Sequence, residues 1–110
     1  MPVGIAEKVT ALSRDFGSQR RLADLLQVSP AQVTRWRRGQ GIDDENAERV
    51  DLLELVMASL LRLYTPTAAE RWLEGANPVL GDRRPIDLIR RGSMRDVLDA
   101  IAGERAGNFA

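Results

Sequence analysis

Apolar residues recur at three- and four-residue intervals along nearly the whole chain, and no run alternates apolar with polar as a half-buried strand does. Ile5, Val9, Leu12 and Phe16 share one helical face, with Gly17 as the stop. Ser18 caps a short helix carrying Leu22, Leu25 and Leu26. Ser29-Pro30-Ala31-Gln32 is a stronger start, with a capping serine, a proline at the first helical position and a glutamine placed to complete a capping box. That helix closes at Arg37-Arg38-Gly39, where bases meet the negative end of the helix dipole.

The longest helix begins at Asp43 or Asp44 and runs to about Tyr64. From Val50 to Leu63 its apolar residues cover more of the circumference than one buried face needs. Such a helix is central to the fold, or it is also an oligomer interface. Thr65-Pro66 opens a helix that stops at Gly75, Asn77-Pro78 opens a turn, and Pro85 starts a helix over 86–91. Ser93 caps a last helix, carrying Val97, Leu98 and Ile101, that ends near Gly103. Residues 104–110 are expected to be an exposed tail. The pattern predicts an all-α chain, organised as 1–64, 65–103 and the tail 104–110.

At 110 residues this is one domain, or two small helical units sharing a core. The absence of Cys and His excludes disulfide scaffolds, Cys/His zinc sites, thiol nucleophiles and imidazole-based triads. Lys8 and Tyr64 are the sole residues of their types, so little remains for acid–base chemistry. The expectation is a protein that is no enzyme and has no catalytic residues, metal or cofactor. The beginning of the chain lacks a charged stretch followed by an apolar one, and Leu52–Leu63 is too short and too charged to span a bilayer. A cytoplasmic protein without a membrane partner is expected.

Charge is uneven although the net is zero. Residues 1–42 hold seven bases against three acids, and the remainder is correspondingly acidic. A basic N-terminal part suits a polyanion, although abundant arginine alone would give the same count. The informative stretch is Ser18–Gly39, which reads as two short helices joined by a tight turn at Gln27-Val28. Leu22, Leu26, Val28, Val33 and Trp36 form the inner set, and small Ala23 admits a close helix approach. Ala31, Thr34, Arg35 and Arg38 face outward, with Gln19, Ser29, Gln32 and Arg37 beside them. Arginine can pair with guanine, glutamine with adenine, and the Ala or Thr methyl meets thymine. These eight residues are the candidate DNA contacts: Arg35 for a base edge, and Ser29, Arg37 and Arg38 for phosphates. The alternative is a helical hairpin with a solvated arginine face. Ala23, Val28-Ser29, Val33 and Trp36-Arg37-Arg38-Gly39 resemble the Xre/Cro type of helix-turn-helix. Gln27 departs from it, standing where that family usually has glycine; a positive φ there would strain it by roughly 1 kcal/mol.

The scattered carboxylates of the second half read as solvated helix faces. The order of other features is more specific: Trp72-Leu73, Asn77-Pro78, Leu80-Gly81, Pro85-Ile86-Asp87-Leu88, Gly92, then Val97-Leu98 through Ile101. Trp72 and Leu73 are expected as core anchors, and Asp87, third in its helix, as a partner of free N–H groups. Over about 67–103 the order resembles the toxin-binding module of the MbcA/ParS/Xre antitoxins. The resemblance implies a small helical toxin-binding module continuous with the helix-turn-helix bundle. It also implies an antitoxin that neutralises a RES-domain, NAD-consuming toxin by direct binding and represses its own promoter. In related complexes the C-terminal end obstructs the toxin's cleft, which here points to Arg105, Asn108, Phe109 and Ala110; the alternative is a frayed tail without a role. Operator DNA and the toxin are the implied partners, and the apolar long helix suits a homodimer. The competing function is a stand-alone helix-turn-helix repressor whose C-terminal half only dimerises.

Overall fold

The structure is a computed structural model and describes residues 4–107. Among them are α1 (Ile5–Asp15), α2 (Gln19–Leu26), α3 (Pro30–Arg37), α4 (Asp44–Leu60), α5 (Pro66–Glu74), a 3-10 turn (Pro78–Leu80), α6 (Pro85–Arg90) and α7 (Met94–Gly107). The described residues contain no strand, and one isolated bridge pairs Asn77 with Arg83. The all-α expectation holds. The chain divides into two compact units, 1–54 and 55–110, and the division falls inside α4.

In the first unit α1, α2 and α3 pack on one another. Val9, Leu12, Leu22, Ala23, Leu25, Leu26, Val33 and Trp36 are buried, which is the inner set read from the periodicity; Val28 is half-buried. The Ser18 hydroxyl accepts from the Arg21 N–H at 3.1 Å, and Ser29 and Gln32 form the full capping box. Gln27 does take the left-handed conformation, with φ 58° and ψ 45°. Its neighbour's Val28 N–H closes on the Ala23 carbonyl at 3.0 Å, which turns the chain into α3. Asp43 starts α4 by accepting from the Asn46 backbone and side-chain amides, at 3.3 and 2.7 Å, and these bonds hold its carboxyl below the usual carboxylate range. Lys8 of α1 donates to Asp51 of α4 at 2.8 Å.

α4 ends at Leu60, one turn earlier than the periodicity suggests. The Leu63 and Tyr64 N–H groups both turn onto the Leu60 carbonyl, which tightens the last turn. Val50, Leu52, Leu53, Val56, Met57 and Leu60 are buried, so most of the apolar excess belongs to a central helix; Leu55 and Leu63 stay exposed.

The second unit gives most elements of the 72–101 signature a structural task, although Leu98 stays exposed. Leu73, Leu80, Leu88, Ile89, Val97 and Ile101 are buried. Buried Asn77 staples its own loop: its Oδ1 accepts from the Val79 N–H at 3.0 Å, its carbonyl from Asp82, and its N–H donates to Arg83. Gly81 supplies the positive φ (66°) that lets the chain return. Three expectations need correcting. Trp72 is only half-buried, because its indole N–H points to a carboxylate rather than into the core. Asp87 meets two guanidiniums, Arg84 and Arg90, each at 3.0 Å, rather than free backbone N–H groups. The last helix does not stop near Gly103 but continues through Glu104 and Arg105 to Gly107.

Candidate functional site

The candidate DNA-reading face is built by α2 and α3, joined by the turn at Gln27-Val28. Ala31, Arg35 and Arg38 are exposed, and the Arg35 and Arg38 guanidiniums have no ion-pair partner among the described residues. Ser29 is exposed at the cap; its hydroxyl accepts from the Gln32 N–H at 3.2 Å while Gln32 Oε1 accepts from the Ser29 N–H at 2.9 Å. Both side chains thus stabilise the helix start, which leaves the Gln32 amide nitrogen as its outward donor.

Gln19, Thr34 and Arg37 form a network that the sequence reading had as separate outward groups. Gln19 Nε2 donates to Thr34 Oγ1 at 2.9 Å, Thr34 in turn donates to the Pro30 carbonyl at 3.1 Å, and Arg37 Nη1 donates to Gln19 Oε1. Thr34 is half-buried, and its hydroxyl is committed within this network. The hydroxyl reaches its own helix one turn back, and the amide crosses from the start of α2. Together with Thr10, Ser18, Arg14 and Arg38 these groups line a polar, basic groove. A surface of hydroxyls, amides and guanidiniums is the donor set that grips a phosphate backbone.

The opposing charge is more localised than a two-part division of the sequence suggests. Residues 43–54 carry six acids and one base, whereas residues 55–110 carry seven acids and eight bases. The acidic excess belongs to the first half of α4, and the second unit is close to balanced.

In the second unit the C-terminal turn of α7 is pinned. Both the Tyr64 hydroxyl and the Trp72 indole N–H donate to the Glu104 carboxylate, the latter at 3.1 Å. Sequence reasoning placed Glu104 in a tail, yet it lies three residues beyond buried Ile101 on the same helical face as Val97. That spacing was the available signal. Arg105 is exposed and shares a cavity of about 280 Å³ with Ala58, Ser59, Arg62 and Leu63. Asn108, Phe109 and Ala110 lie outside the described residues. No group of acidic side chains among the described residues is arranged to hold a metal, and no helix there is long and apolar enough to cross a membrane.

Comparison with known proteins finds relatives over most of the chain. Residues 54–107 match the family of the antitoxin Xre/MbcA/ParS C-terminal toxin-binding domain. A probable mycobacterial cidal antitoxin of Mycobacterium tuberculosis is 34% identical over 99 residues, spanning 89% of this chain and 84% of the relative. The mycobacterial cidal antitoxin MbcA of the same organism is 32% identical over 89 residues, spanning 80% and 79%. Among solved structures, a chain of the M. tuberculosis MbcT–MbcA toxin–antitoxin complex superposes with a TM-score of 0.77 at 28% identity, covering 100% of both chains. The chain belongs to the Xre/MbcA/ParS antitoxin family.

Proposed function

We propose that this antitoxin neutralises a RES-domain, NAD-consuming toxin by binding it directly, and represses its own promoter through the helix-turn-helix. The likeness, over the full chain, to a chain of a toxin–antitoxin complex carries the first half of this reading. The pinned turn of α7 that carries exposed Arg105 supports it, and Asn108, Phe109 and Ala110 follow that turn in the sequence. The second half rests on the exposed Arg35 and Arg38 beside a groove of phosphate-binding character. Operator half-sites call for a dimer, and exposed Leu55 on α4 is the apolar position suited to that contact.

Co-expression with the product of the neighbouring reading frame tests the first half. The expected result is restored growth, preserved cellular NAD and a complex that purifies intact. A frame product that arrests growth regardless, and purifies alone, would sink it. Mobility shift on the upstream DNA and sedimentation of the free protein test the second half, with a sequence-specific shift and a dimer expected.

A further inference from the structure

Arg62 and Arg105 face one cavity, and neither has an acid at the helical spacings of three or four residues that would neutralise it. The neighbours of Arg62 at those spacings are Ala58, Ser59, Thr65 and Pro66; those preceding Arg105 are Ile101 and Ala102. Glu104 is adjacent to Arg105 in the chain, but its carboxylate is taken by Tyr64 and Trp72. That clasp also fixes the turn from which Arg105 projects. The ordinary role for an arginine here, capping the last carbonyls of α4, is filled by the backbone: Leu61, Arg62, Leu63 and Tyr64 donate to the Met57, Ser59 and Leu60 carbonyls. Ser59 adds a hydroxyl to the cavity, while Ala58 and Leu63 give it an apolar wall.

We propose that this cavity receives an Asp or Glu carboxylate of the toxin, held between the Arg62 and Arg105 guanidiniums with its methylene groups against Leu63. The proposal deepens the neutralisation reading and rests on it. Two guanidiniums offer paired donors to the two oxygens of one carboxylate, which a single arginine or a lysine pair does less well. The size of about 280 Å³ admits a side chain rather than a lone water. Both arginines lie within residues 54–107, the part matched by the toxin-binding family, which favours a protein carboxylate over a nucleic-acid phosphate.

The test uses the full chain and the co-expressed toxin, with affinity measured at several salt concentrations. R62Q/R105Q is expected to weaken binding by about 10- to 100-fold and to flatten its salt dependence, while R62K/R105K recovers part of the loss. Circular dichroism and the melting temperature of the free double variant should match wild type, since both side chains end at the surface. Toxin binding by R62Q/R105Q within twofold of wild type would overturn the proposal and leave neutralisation standing. Loss of upstream-DNA binding with toxin affinity intact would assign the cavity to phosphate and overturn it equally. A wild-type chain that binds no toxin would remove the neutralisation reading and the cavity's occupant together.

Discussion

Gln27 holds a left-handed conformation that a side chain with a Cβ adopts at a cost of about 1–2 kcal/mol. Replacing it with glycine relieves that strain but frees the unfolded chain by about 0.4–1 kcal/mol. The Q27G protein is expected to gain roughly 0.5–1 kcal/mol, read as a higher melting temperature. Asp87 carries a different kind of signature. Its hydrogen bond with Arg84, helped by Arg90, lowers its pKa below the ordinary 3.8. A lowered folded-state pKa means the stabilisation is present above 3.8 and is lost as pH falls below it toward the folded value. Melting curves from about pH 5 down to about pH 2 should show a decline below 3.8 that is smaller in D87N. On the DNA side, free Arg35 and Arg38 separate in role. R35A should cost about 1–3 kcal/mol and relax preference at one base pair, whereas R38A should weaken all sequences alike and lower the salt slope by about 1. Equal loss on operator and random DNA for R35A would refute the assignment of Arg35 to a base edge.

The helix starts were legible because each depends on a local arrangement: Ser18, Ser29-Pro30-Gln32 and Thr65-Pro66 all cap as their residue types dictate. The ends were harder. α4 stops before Tyr64 because its last carbonyls are shared among tightened turns, and nothing in Leu61-Arg62-Leu63 signals that. α7 passes Gly103 because Glu104 is held by two donors distant in sequence, Tyr64 and Trp72. In the candidate DNA-reading face, the outward arginines followed from period, whereas the Gln19–Thr34–Arg37 network joins two helices across the turn and was invisible to either pattern. The Glu104 clasp has a measurable consequence. A chain ending at Gly103 leaves the Tyr64 and Trp72 donors without their acceptor, and such loss costs about 1 kcal/mol or more. A chain ending at Gly107 keeps the clasp. Thermal denaturation should show the shorter truncation melting below wild type and the longer one with it; equal melting of both truncations would deny the clasp a stabilising role.

For a protein of zero net charge to bind both DNA and a toxin, as proposed, the two tasks must fall on different residues. Here the basic excess lies in 1–42, the acidic excess in 43–54, and the part matched by the toxin-binding family is nearly balanced. DNA affinity should therefore fall steeply with salt although the whole chain is neutral, because counterion release depends on the local patch and not on the total. The same division predicts two complementary lesions. R35A/R38A removes exposed guanidiniums of the first unit and is expected to abolish the operator shift while still protecting cells from the toxin. Phe109→Ala removes the one aromatic near the end of the chain and is expected to weaken inhibition by about 2 kcal/mol or more, as loss of an interface anchor does. Its operator binding and melting temperature should equal those of wild type, because Phe109 follows the Glu104 clasp in sequence and lies eight residues past Ile101, the last buried position among the described residues. Both proteins need testing in one strain, scored for promoter activity and for growth with the toxin induced. If F109A protects as well as wild type, the inhibitory contact belongs to the helical surface between Arg62 and Arg105 rather than to the chain end.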